Sequence, residues 1–161
     1  MKTILITGHS SGCGLALCKM LLDQGHHVIG LSRRSCGLQH PALQEVSIDL
    51  SKPHTLADEL KKPLFKSTPD ALICAAGLGY FGNLEQLNWQ QADELWKVNV
   101  LSPMMLSKHV VPGMKKRKSG HIIFLGSEAG LSAGQKGTIY CASKFALRGF
   151  ALSLAEECRS S

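Results

Sequence analysis

With 161 residues, 44% of them hydrophobic, the chain is sized for a single domain (residues 1–161) with material for a real core. Its net charge of +6 favours an anionic ligand, but it is too diffuse to mark a nucleic-acid binder, and the one dense run, Lys115-Lys116-Arg117-Lys118, ends a helical pattern where cations offset the helix dipole. Six cysteines without C-x-x-C, seven histidines without H-E-x-x-H, and an apolar start broken by turn residues at Thr7-Gly8 argue against a disulfide framework, a metal centre, a leader peptide and a membrane span, so a soluble cytoplasmic protein is expected.

In chain order, residues 2–7 (KTILIT) are a β-branched apolar run and predict a buried strand. Residues 12–23 (GCGLALCKMLLD) carry apolar side chains at helical spacing, with Gly25 just beyond as a cap. Residues 27–32 and 45–50 predict the second and third strands, and residues 55–62 a short helix closed by Pro63. Residues 70–75 predict the fourth strand. A long helix is predicted from Asn88, with Gln91 at the capping-box position, to Val111, before Pro112-Gly113. Residues 121–125 predict the fifth strand, and residues 138–157 the last helix. Such alternation, with strands apolar throughout, predicts an α/β fold of three layers. Its centre is a doubly wound, Rossmann-like parallel sheet of five strands in the order 3-2-1-4-5.

The stretch GHSSG at residues 8–12 has two readings. As G-x-S-x-G it is a hydrolase elbow with Ser10 as nucleophile, but the elbow's oxyanion loop comes from an earlier strand, and none precedes it. As part of TGHSSGCG it is a phosphate-binding turn: Gly8 allows the tight turn, Gly12 the close approach of a diphosphate, and Gly14 the packing of helix on sheet. An NAD site usually sets a carboxylate after the second strand, whereas this chain reads Leu31-Ser32-Arg33-Arg34. Arg33, with Arg34 beside it, can take a 2′-phosphate, which points to NADP; the alternative is two surface arginines in a loop.

Tyr140 and Lys144 are four apart and share a helix face. A free tyrosine titrates near ~10. A neighbouring ammonium favours the phenolate and suits the tyrosine to exchange a proton with an alcohol or ketone. The same spacing also occurs on ordinary helix faces. Ser127 follows the fifth strand at its carboxyl end, where open parallel sheets bind ligands. Asn99 lies inside the long helix although Asn is a mediocre helix former, which suggests a polar task or simple packing.

Together these stretches resemble the short-chain dehydrogenase/reductase family. TGHSSGCG matches its T-G-x-x-x-G-x-G, CAAG at 74–77 resembles N-N-A-G, KVNVLSP carries its Asn, and GSEAG and YCASK match its serine segment and Y-x-x-x-K. The resemblance implies an NADP(H)-dependent oxidoreductase that interconverts a carbonyl and an alcohol on a small-molecule substrate. Tyr140 would be the acid–base. Lys144 would lower its pKa and bind the nicotinamide ribose, Ser127 would polarise the carbonyl, and Asn99 would hold a water linking Lys144 to solvent. Gly8, Ser10, Ser11, Gly12 and Gly14 would cradle the cofactor, with Arg33 and Arg34 at its 2′-phosphate. Asp49 and Leu50 would meet the adenine, and Ala75, Ala76 and Gly77 the adenosine ribose. Cys74 and Ala75 replace the family's asparagines, which is expected to cost some sheet-to-turn hydrogen bonds without abolishing binding.

The family's fold continues with further strands and a substrate lid, whereas this chain stops at Ser161. A second expectation therefore stands beside the first: a truncated, weakly active or inactive chain that binds nucleotide or a partner protein. The last two long helices also carry more apolar positions than one core face needs. Val98, Leu101, Met105 and Leu106 lie on one, and Phe145, Leu147, Phe150 and Leu154 on the other. A homodimer built on these helices, as the resemblance implies, is expected.

Overall fold

In the computed structural model, which describes residues 1–159, the apolar runs become five parallel strands. These are β1 (Thr3–Thr7), β2 (His27–Ser32), β3 (Leu43–Ser47), β4 (Ala71–Cys74) and β5 (His121–Phe124). Their order across the sheet is β3-β2-β1-β4-β5, as the crossover rules predict. Side chains along the central strand alternate between two cores. Leu5 packs with Leu31, Leu72 and Leu106 on one face, and Ile4 and Ile6 with Val28, Ile73 and Cys18 on the other.

The second face is covered by α1 (Gly12–Asp23), which buries Gly14, Cys18 and Leu22 at intervals of four. It closes with the Gly25 N–H donating to the Leu22 carbonyl and the His26 N–H to the Leu21 carbonyl. The first face is covered by α2 (Pro53–Glu59) through Leu56, and by α4 (Ser102–Lys116) through Leu106, Val110 and Met114. Phe150 of α5 (Thr138–Cys158) meets Phe124 of β5 edge-on, with ring centroids 5.7 Å apart. No helix among the described residues is long and apolar enough to cross a membrane.

Three elements differ from the sequence expectation. β3 lies two to three residues earlier than predicted, because Ile48 and Leu50 leave the ladder while staying in the core. Between them the Asp49 carboxylate accepts from the Ser51 N–H and hydroxyl and turns the chain toward α2. α2 likewise begins earlier, with Pro53 in its first turn, where a missing N–H costs nothing.

The predicted single helix from Asn88 is three pieces: α3 (Trp89–Trp96), a π-helical stretch (Lys97–Leu101), and α4. Asn88 caps α3 through the Gln90 N–H rather than through a reciprocal box with Gln91. α4 runs on through Pro112. The carbonyl of Lys108, which Pro112 leaves without an N–H donor, sits in an exposed residue that water can reach. Gly113 is a packing point there, since a Cβ would fall 1.9 Å from the Thr68 hydroxyl oxygen.

The surplus apolar positions divide. Val98, Leu106 and Leu147 are buried within the chain, and Phe150 is taken up by Phe124. Leu101 and Phe145 stay exposed, at 39% and 43%, as do Trp96 at the end of α3 and Leu152 on α5.

Candidate active site

The carboxyl ends of β1, β2 and β4 open onto one cleft of about 470 Å³. The chain enters it where Gly8 leaves β1 at φ +72°, its N–H donating to the Leu31 carbonyl at 2.8 Å. A Cβ on Gly8 would meet the Ala76 Cα at 2.8 Å, and one on Gly14 would meet the Gly8 carbonyl oxygen at 2.2 Å. Only glycine lets the turn, the first helix turn and the end of β4 approach this closely. Ser11 sits at the N-cap of α1 but makes no side-chain bond to the helix. The helix N-terminus, with its unpaired N–H groups and positive dipole end, therefore faces the cleft without an internal cap.

The turn after β4 is tied to β1 by main-chain groups. The Ala75 and Ala76 N–H groups both donate to Thr7 Oγ1, each at 3.1 Å. These bonds need no side chain at 74 or 75, so the departure in CAAG leaves this link intact. Cys74 points into the core, and burial pushes its thiol up to about 12.

At the far end of the cleft, α5 brings Tyr140 and Lys144 to one wall. Lys144 is only 7% exposed. Its Nζ donates to the Leu125 carbonyl at 3.0 Å and lies 5.8 Å from the centre of the Tyr140 ring. Burial pulls its pKa below the ordinary lysine value. Phe81 packs against Tyr140 at a tilt, with ring centroids 5.3 Å apart.

Asn99 stands directly behind this wall, 1% exposed, at the centre of the π-helical stretch. Its amide oxygen accepts from the Leu78 N–H at 2.8 Å. Its amide nitrogen donates to the Leu78 carbonyl at 2.8 Å and to Ser143 Oγ at 3.1 Å. It thus clamps the turn after β4 to α5. Ser127 is the residue after Gly126, which lines the cleft; Ser127 itself is not among the lining residues. Its hydroxyl oxygen accepts from the Ala129 N–H at 3.1 Å, which orients the group and leaves its proton to donate.

Every residue expected at the cofactor lines this cleft except Asn99, which supports it from behind. Arg33 and Arg34 stand at its rim, and Asp49 and Leu50 in its wall. Asp49 is already engaged by Ser51. Its pKa stays below the ordinary aspartate value although burial opposes this, because the Ser51 hydrogen bonds, Lys52 and Arg33 all favour the carboxylate.

One support escaped the sequence reading. His9, within the glycine turn, is 1% exposed and its Nε2 lies 2.8 Å from Glu45 Oε1 of β3. Glu45 also accepts from the Cys36 N–H at 2.7 Å and from the Ser35 hydroxyl at 2.8 Å. Burial raises its pKa, but the hydrogen bonds from Cys36, His9 and Ser35 outweigh this and bring it to about 2. The effect is to pin the loop that follows Arg33 and Arg34 to the glycine turn. The signal was Gly30, in mid-strand, where a Cβ would fall 2.5 Å from the His9 ring.

Comparison with known proteins agrees with this geometry. A family model described as short chain dehydrogenase matches residues 2–161. Human retinol dehydrogenase 8 is 32% identical over 96% of this chain and 53% of its own length. Human 17-beta-hydroxysteroid dehydrogenase type 1 is 32% identical over 94% of this chain and 51% of its own. The chain therefore spans about half the length of these curated relatives. Among solved structures, a 4-hydroxyisoleucine dehydrogenase complexed with NADH superposes with TM-score 0.86 at 35% identity, covering 98% of this chain and 69% of that one. A metagenomic short-chain oxidoreductase in complex with NADP superposes with TM-score 0.88 at 30% identity, covering 99% and 76%.

Proposed function

The chain belongs to the short-chain dehydrogenase family, and from that premise we propose that it is an NADP(H)-dependent oxidoreductase interconverting a carbonyl and an alcohol. The observation that carries the reading is a single cleft joining a glycine turn at one end to the Tyr140–Lys144 pair at the other. The residues present fit a dinucleotide. The approach at Gly8 and Gly14 keeps the turn tight against α1, and the uncapped helix N-terminus suits a diphosphate. Arg33, its side chain 61% exposed at the rim, suits a 2′-phosphate. The family's solved members include complexes with either NADH or NADP, so the preference for NADP rests on Arg33.

When bound, the nicotinamide dinucleotide supplies or accepts the hydride. Tyr140 gives its phenolic proton to the carbonyl oxygen as that oxygen gains charge, and takes the proton back in the reverse direction. The Lys144 ammonium, held near the ring by the Leu125 carbonyl, stabilises the phenolate left behind. Ser127 donates its free hydroxyl proton to the same substrate oxygen. Asn99 keeps the Leu78 main chain and α5 in register, so that Tyr140 and Lys144 hold their places. Six free cysteines suit a reducing cytoplasm as the site of action. A homodimer through the exposed positions of α5 and the π-helical stretch completes the proposal.

The test is NADPH consumption by the purified chain across a panel of small ketones and aldehydes. Turnover with at least one carbonyl is expected. NADPH binding with no turnover on any of them would overturn the oxidoreductase reading and leave a nucleotide-binding chain.

A further inference from the structure

At the rim of the cleft Arg33 is not free. Its Nη1 lies 3.7 Å from Oε1 of Glu94, a residue of α3 that itself lines the cleft. The second carboxylate oxygen of Glu94 accepts a hydrogen bond from the Tyr80 hydroxyl at 3.1 Å. That bond holds the carboxylate at the rim, while Arg33 remains 61% exposed against 33% for Glu94. Asp49, also in the cleft wall, feels the Arg33 charge from its own position. The cation that a 2′-phosphate would seek is therefore already paired with the Glu94 carboxylate.

We propose that Glu94 is a specificity-determining residue that weakens discrimination for NADPH over NADH by pairing with Arg33 and opposing the 2′-phosphate. This rests on the dinucleotide reading above. A phosphate monoester carries about −1.5 to −2 charge near neutral pH. To engage Arg33 it must displace Glu94 or lie beside a like charge. NADH brings only a hydroxyl to the same place and meets no such repulsion. Glu94 therefore acts on one cofactor and leaves the other nearly untouched. Because the pair is solvent-exposed, its effect is moderate and falls with added salt.

The experiment is equilibrium titration of the whole chain with NADPH and with NADH, for the wild type, Glu94→Gln and Tyr80→Phe. Gln keeps the shape and can still accept from Tyr80, but it has no charge. The expected result is NADPH binding about three- to tenfold tighter in Glu94→Gln, NADH affinity within about twofold, and a gain that shrinks with salt. Tyr80→Phe, which loosens the rim but keeps the charge, should bring a clearly smaller gain in NADPH affinity than Glu94→Gln. An unchanged or lower NADPH-to-NADH preference in Glu94→Gln overturns the inference alone, as does an equal gain in Tyr80→Phe. A wild-type chain that binds neither cofactor overturns the dinucleotide reading with it.

Discussion

Arg33 and Glu45 sit at opposite ends of one short loop system, and each carries a charge whose loss has a readable consequence. The charge-assisted bonds Arg33 offers a 2′-phosphate should make NADPH bind more tightly than NADH by about 1–3 kcal/mol. Arg33→Asp should reverse the order in titration calorimetry, and equal affinities before and after the change would contradict that assignment. Glu45 works on stability. Its folded pKa of about 2 lies below its ordinary value of 4.5, so its contribution is present above pH 4.5 and is lost as pH falls toward 2. With its side chain 26% exposed, and allowing for solvent screening, that contribution is on the order of 1–2 kcal/mol. Denaturant unfolding should show Glu45→Gln less stable by that amount at neutral pH, with the gap closing in the acid window; a constant gap would assign the loss to packing instead. Tyr140, Lys144, Arg33 and the glycine turn were legible because each motif is local. His9, Glu45 and Glu94 were not, because their partners lie on elements that only the folded sheet brings together.

The helical segment around Asn99 shows the same division one level up. Its existence was legible from apolar spacing, but its π-helical turn was not, since Val98, Asn99 and Val100 are only middling helix formers and their spacing fits an ordinary helix as well. The extra residue in that turn sets Asn99 inward against Leu78 and Ser143, as π-helical turns often do at functional sites. Asn99→Ala should cost about 2–4 kcal/mol in unfolding experiments, because the Leu78 N–H and carbonyl both lose their partner. Ser102→Ala, which removes one hydroxyl bond back to the Val98 carbonyl, should cost well under half of that. Similar costs for the two would contradict the clamp. Pro112-Gly113 misled for a related reason. Read locally it is a helix stop, yet the carbonyl that loses its donor belongs to the exposed residue Lys108, and α4 continues through Pro112. In the basic run beyond it, Arg117 is not merely solvated, since its guanidinium donates to the Ser119, Thr68 and Pro69 carbonyls.

At the scale of the molecule, strand order and the position of the cleft followed from alternation of strand and helix, because crossover handedness leaves few topologies. Which apolar side chains remain outside did not follow, since burial depends on neighbours that spacing does not name. Leu101 and Phe145 stay exposed, whereas Phe150 turns inward to Phe124. If the helices form the dimer interface, Phe145→Glu should yield a monomer by light scattering while leaving the fold intact. Phe150→Glu should destabilise the fold instead. A dimer that survives Phe145→Glu would exclude that surface. The central claim, that one cleft joins a dinucleotide cradle to a tyrosine acid–base, is tested most directly by Tyr140→Phe, measuring turnover and NADPH affinity on the same preparation. Loss of the hydroxyl should lower turnover by about 10²- to 10⁴-fold with NADPH affinity nearly unchanged. Normal turnover in Tyr140→Phe would contradict the account.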